Sequence, residues 1–272
     1  MRELLIVAGL FVLAVALRSC RRVLPHKLGA VVVLAATFCA LFFATGRPWA
    51  GALGVAAWFF LPWVELLTRV RRMRLPLENR LRHRRLPNPA LFPNAEEAAS
   101  AMEEAGFEHV NDCGREWGGM QQFFRLFWHP EERSVAAVCL CEQSDISFCF
   151  MTLDSRDEQG RLWRTTNFPF SPTLLDPPQF RWNRVPCDRN CFHQLLRDHH
   201  RFLRRGRVVH DDLVIPDPEL LVQDLQAEMR ACVAHNLHSG IIRLTGDGHF
   251  RYSPRGLLFL WKQYVKDMVR LC

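Results

Sequence analysis

The sequence predicts an α+β protein in which N-terminal transmembrane helices precede a cytoplasmic domain with an antiparallel β-meander and helices packed mainly on one face. Three observations lead there. Apolar runs crowd the first 67 residues. Four strand-like stretches joined by short turns lie between residues 121 and 168, and stretches with apolar residues at helical spacing close the chain. At 272 residues there is room for one ordinary domain plus an accessory region.

Charge separates the two regions. The whole chain carries +7. Residues 1–86 hold 14 Lys and Arg against Glu3, Glu65 and Glu78, a net +11, while the rest holds 21 bases against 25 acids, a net −4. The basicity thus belongs to the apolar front third and argues against a nucleic-acid-binding domain.

The predicted anchor, 1–67, contains three apolar segments, 4–17, 28–45 and 49–67. At about 1.5 Å of rise per residue the second and third reach roughly 27–28 Å, close to the hydrocarbon thickness of a bilayer. Gly46-Arg47-Pro48 between them is a turn short enough to force a helical hairpin, and Trp49, Trp58 and Trp63 suit interfaces. The first segment, at roughly 21 Å, has three readings: a short span with Arg2 and Arg18 reaching outward, an interfacial segment, or a cleaved or lipidated signal. Arg18, Arg21, Arg22 and Lys27 precede the hairpin, and Arg69, Arg71, Arg72, Arg74, Arg80, Arg82, Arg84 and Arg85 follow it. Positive charge resists translocation, which predicts that everything after the hairpin is cytoplasmic. The same arginine belt, within a segment 68–93, suits anionic lipid headgroups. Leu86 to Pro93 reads as a stiff extended linker because its prolines exclude a regular helix. Three lysines against 32 arginines indicate a GC-rich bacterial source, and with it a bacterial inner membrane.

The domain 94–272 opens with a helix capped at Asn94 and stopped at Gly106. Strands are expected over Gln121–Trp128, Ser134–Cys141, Asp145–Leu153 and Arg161–Phe168, short connections making them an antiparallel meander. After a proline-rich excursion the spacing predicts helices over 188–205 and from Asp217 to His238, a hairpin over Ile241–Tyr252, and a last helix from Pro254 with Leu257, Leu258, Trp261, Tyr264 and Val265 on its apolar stripe. His199 falls on the apolar stripe of its helix, where a satisfied core histidine is expected. The cysteines, irregularly spread and partly in apolar strands, read as free thiols.

The chemistry is sparse. No Gly-rich phosphate loop, G-x-S-x-G elbow, His-Glu-x-x-His or Cys-x-x-Cys pair is present, and no cofactor is implied. Cys187, Cys191 and His193 form the densest group of metal-ligand types, but their spacing matches no zinc motif, and no bound metal is expected. His193, His200, His210, Asp211 and Asp212 are the candidates for acid–base work.

Gly240-Ile241-Ile242-Arg243, then Gly248-His249-Phe250-Arg251-Tyr252-Ser253-Pro254-Arg255-Gly256, is similar to the wing of winged-helix DNA-binding domains. That resemblance implies a recognition helix just before the hairpin and a DNA partner. The preceding helix departs from it, carrying Asp217, Glu219, Asp224 and Glu228 against Arg230, the reverse of what phosphates require. The sequence therefore supports first a membrane-anchored cytoplasmic interaction, scaffold or sensory module, without evident catalysis, whose partners are the bilayer and another protein. A membrane-associated enzyme using the His and Asp candidates, and a tethered winged-helix-like regulator, stand as alternatives.

Overall fold

The computed structural model describes residues 1–20, 23–78, 80–143, 146–186 and 191–271. It is a mixed α+β protein with seven α-helices and two sheets among those residues. In chain order these are α1 (Arg2–Arg18), α2 (Val23–Thr45), α3 (Pro48–Thr68), β1 (Leu75–Pro76), β2 (Arg82–His83), α4 (Ala95–Glu104), β3 (Glu108–Trp117), β4 (Met120–His129), β5 (Ser134–Gln143), β6 (Ile146–Arg156), β7 (Leu162–Thr166), β8 (Phe180–Arg184), α5 (Phe192–Arg205), α6 (Leu221–His238), β9 (Ile242–Thr245), β10 (His249–Tyr252) and α7 (Pro254–Leu271). The chain divides into two compact units, Met1–Arg72 with Pro254–Cys272, and Met73–Ser253.

The first unit gathers α1, α2, α3 and α7. Lys27–Thr45, with mean hydropathy 2.3, and Pro48–Arg72, with 1.6, are long and apolar enough to cross a membrane. Small residues let α2 and α3 approach closely. A Cβ on Gly51 would strike Phe38, and one on Gly54 would strike Leu41. Trp58 donates its indole N–H to Thr37 Oγ1 at 3.1 Å. Pro62 stands inside α3 and removes the donor for the carbonyl four residues back. One residue along, the Phe59 carbonyl accepts the Trp261 indole N–H of α7 at 2.8 Å. Trp261 also stacks on Phe60 and Trp63, with centroids 6.0 and 6.1 Å away. The sequence assigns α7 to the soluble domain; its apolar stripe packs instead on α3.

The second unit is built on a seven-stranded sheet of order β2-β3-β4-β5-β6-β7-β8. The expected meander is present and longer than anticipated, running from β3 to β7 with every neighbouring pair antiparallel. β3 and β4 join through Gly118-Gly119, both at positive φ, the backbone that a two-residue hairpin loop demands. β8 then adds parallel to β7, which the long proline-rich excursion 167–179 makes reachable. β1, β10 and β9 form a separate three-stranded sheet.

The central strands are apolar on both faces, so both need cover. On one face Phe123, Phe127, Ala136, Val138, Leu140, Met151 and Leu153 pack with Ala98, Ala99 and Met102 of α4 and with Phe192 and Leu195 of α5. On the other, Phe124, Leu126, Ala137 and Cys139 meet Leu221, Leu225 and Met229 of α6. Helices therefore lie on both faces, α4 and α5 on one and α6 on the other, where the sequence predicts helices mainly on one face. The sequence alternates too weakly in β4 and β5 to leave a solvated side.

Both the arginine-rich stretch and the linker 86–93 carry structure. Leu81 is buried, Arg82 and His83 form β2 beside Cys113 and Gly114, and Phe92 enters the core after a 3-10 turn at Pro89–Leu91 that Asn88 caps. His199 is 1% exposed, with Ser155 Oγ at 3.1 Å and Thr165 Oγ1 at 2.9 Å from its ring nitrogens.

Two outcomes follow from this packing. A fragment 73–253 is expected to unfold as one cooperative unit by circular dichroism. A fragment 94–272, which lacks β1 and β2 and carries α7 without α3, is expected to be less stable and to self-associate on size-exclusion chromatography. The second outcome concerns pH. Burial lowers the His199 imidazole to about 3, the charge of His200 adding to the effect, whereas the unfolded chain titrates it near 6.5. The unfolded state takes the proton first, so stability is intact above pH 6.5 and falls toward pH 3 at about 1.4 kcal/mol per pH unit from this group. Urea unfolding of 73–253 between pH 6.5 and 5 should show that slope, and His199→Gln should flatten it.

Candidate functional site

The second face of the large sheet and α6 enclose a cavity of about 540 Å³. Small side chains on β5, Ala137 and Cys139, form part of its floor. The excursion 167–179 supplies Phe168, Ser171, Thr173, Leu174 and Asp176 to its wall. Asn236, fully buried on α6, clamps that excursion: it accepts from Leu175 N at 2.8 Å and donates to Leu175 O at 2.8 Å. Tyr252 adds a hydrogen bond to the Thr173 carbonyl at 3.2 Å. Phe150 and Phe168 meet edge to face, 4.8 Å between centroids.

A charged bridge crosses the cavity. Arg164 of β7 donates to both oxygens of Asp154 on β6, at 2.7 and 2.5 Å, and to Glu228 of α6 at 2.8 Å. Arg156 reaches the other Glu228 oxygen at 2.9 Å. Burial works against the Arg164 charge, but Asp154 and Glu228 outweigh it and raise its pKa. Burial pushes the Glu228 carboxyl up, opposed by Arg164. The Trp182 ring lies beside two guanidiniums, Arg164 at 5.2 Å and Arg184 at 5.5 Å. Burial also raises Asp176, against Arg184 and Arg164.

On β3, Arg115 enters the cavity differently. Its Nε donates to Gln122 Oε1 at 2.6 Å, and its guanidinium lies 4.9 Å from the Trp117 ring centre. Burial lowers its pKa to about 10. The cavity thiols are poor nucleophiles: burial raises Cys232 to about 11 and Cys139 well above its usual value.

The candidates from sequence lie elsewhere. His193 is exposed on α5, on the opposite face of the sheet. His200, also on α5, meets Glu132 at 2.7 Å. His210, Asp211 and Asp212 share an exposed 3-10 turn, where the Asp211 carbonyl accepts from Arg133 at 2.7 Å. None of these five lines the cavity. Cys187 lies outside the described residues, and Cys191 is exposed at the α5 N-cap. Among the described residues no three His, Cys, Asp or Glu side chains converge as metal ligands would.

The arginine belt is divided. Arg69, Arg71 and Arg72 end α3 and the following 3-10 turn, exposed. Arg74 pairs with Asp247 at 3.0 Å and Arg80 with Glu78 at 2.8 Å, exposed pairs that add little stability. Arg82 lies on β2, Arg84 reaches Gln121 at 3.4 Å, and Arg85 is exposed. The wing-like hairpin forms as β9 and β10 but pairs with β1, and the helix before it buries one side in the cavity wall.

Sequence reading missed Arg115, Asp154, Arg164, Glu228 and Asn236. The alternation of Asp154 with Thr152 and Arg156 places them on one face, which is a signal, but Glu228, which Arg156 and Arg164 share, is 72 and 64 residues away in α6. Comparison with protein-family models, with curated proteins and with solved structures returns no match for this chain.

Removing one member of a buried ion pair strands the others. Glu228→Ala is expected to destabilise fragment 73–253 by roughly 3–5 kcal/mol, and Glu228→Gln by less, measured by denaturant unfolding.

Proposed function

We propose that this chain is a membrane-anchored sensory module whose cytoplasmic domain binds a small ligand in the cavity beneath α6. The cavity carries the reading. Its size falls within the range of sites for small organic molecules, and its exposed wall is mostly apolar, with five arginines and five carboxylates set among the apolar side chains. Among the described residues no histidine lines it, and its cysteines are held as thiols, an inventory suited to binding more than to acid–base turnover. The anchor rests on the two long apolar helices. The cytoplasmic placement rests on arginine and lysine flanking their hairpin on both sides, with Arg47 alone in the turn. The exposed Arg69, Arg71 and Arg72 suit anionic headgroups, and the scarcity of lysine fits a bacterial inner membrane.

Topology is testable at Cys191, which is exposed. In intact cells a membrane-impermeant maleimide should leave Cys191 unmodified until permeabilisation, read by peptide mass spectrometry. Modification beforehand reverses the orientation. For the cavity, a low-mass filtrate of the source cells should raise the melting temperature of the wild-type chain but not of Ala137→Phe, which fills the floor. Equal shifts in both, or none, count against the cavity as the ligand site.

A further inference from the structure

We propose that the cavity takes a monocarboxylate with an apolar body, the carboxylate gripped by Arg115 and the body lying along the aromatic and aliphatic wall. This rests on the cavity being a ligand site and assigns its chemical class.

The arginines around the cavity are not equivalent. Arg164 and Arg156 are committed to Asp154 and Glu228. Arg133 is held by the Asp211 and Leu213 carbonyls at 2.7 and 2.9 Å, and Arg184 lies over the Trp182 ring and donates to the Phe170 carbonyl at 3.5 Å. Arg115 has the Gln122 amide oxygen and the Trp117 ring, and no carboxylate among the described residues pairs with it. Gln122 occupies Nε, which leaves the two terminal nitrogens as a fork, the geometry that accepts both oxygens of one carboxylate. Trp117 lines the same cavity, and its Nε1–H is buried without an acceptor.

Charge and shape narrow the class further. The lining as a whole is neutral, five arginines against five carboxylates (Asp154, Asp176, Asp217, Asp224 and Glu228), so one negative charge held at Arg115 is tolerated better than the two of a phosphate monoester. Burial of Arg115, which already lowers its pKa, is relieved by an anion and worsened by a cation. The cavity far exceeds what an inorganic anion fills, and the remaining wall includes Phe124, Phe150, Leu225 and Met229. A body of aliphatic or aromatic carbon removes that surface from water.

The test uses the full chain in lipid nanodiscs and isothermal titration calorimetry. The probes are octanoate and 2-naphthylacetate, their alcohols octanol and 2-naphthylethanol, and 2-naphthyl phosphate, each corrected against empty nanodiscs. Both carboxylates should bind saturably, roughly tenfold or more tighter than the matching alcohol, as a charge-assisted bond lost from a buried site implies. Arg115→Met should erase that preference, bringing each carboxylate to the affinity of its matching alcohol in the same variant. Arg115→Lys, which keeps the charge without the fork, should bind the carboxylates with intermediate affinity. Equal affinity for acid and alcohol, tighter binding of the phosphate, or an unchanged preference in both variants overturns the carboxylate assignment and leaves the ligand cavity standing. No saturable binding of any probe overturns both.

Discussion

α6 is joined to the large sheet by a bridge of buried charge, Arg164 held between Asp154 and Glu228 with Arg156 closing the far side. A buried ion pair is a weak source of net stability, because desolvation offsets most of the attraction. What it supplies is geometry. The charged side chains hold the middle of α6 at their own length from strands whose residues there are small, Ala137 and Cys139, while Leu221 and Met229 make the apolar contact. Long charged spacers above small floor residues leave a void, and the void is the cavity. On the opposite face the same strands present Ala136, Val138 and Leu140 to α4 and α5, where apolar side chains make the contact.

The excursion after β7 belongs to the same construction. It carries the chain over the cavity so that β8 can add parallel to β7, and Asn236 holds its backbone there, with Tyr252 on the Thr173 carbonyl. One buried amide thus serves the Leu175 N–H and C=O together, meeting the requirement that buried backbone groups find partners. The wall facing α6 and the helix itself are tied at Leu175 by Asn236 and by the Cys232 thiol, so a ligand that shifts either one acts on both. That coupling is the physical content of the sensory reading.

Much of the fold was legible in the sequence. The apolar runs, the helix from Asn94 to Gly106, four of the strands and the hairpin 242–252 fall where periodicity puts them. β3 was not legible, because Glu108–Trp117 is polar and includes Asn111, Asp112 and Gly114; its strand character comes from pairing with β4 on one side and β2 on the other. β8 was hidden by the prolines ahead of it. The helix α7 carries an ordinary apolar stripe, and nothing in a stripe says which surface it will meet. The site was least legible of all. Sequence reading favours dense clusters such as His210-Asp211-Asp212, which the fold leaves on an exposed turn, while the cavity draws single residues from β3, β6, β7 and α6. Arg115 looks like any surface arginine until β3 turns it inward beside Trp117.

The most direct measure of this account is amide hydrogen exchange along α6 compared with α5. α5 buries Phe192, Leu195, His199 and Leu203 in a closed core, whereas α6 roofs a void and is fastened by charge. Local stability follows buried apolar contact, so the account predicts that amides 225–235 exchange through a local opening well before those of 195–203, and that Glu228→Gln widens the gap. Exchange of both helices only through a common global unfolding event, unchanged by Glu228→Gln, would contradict it.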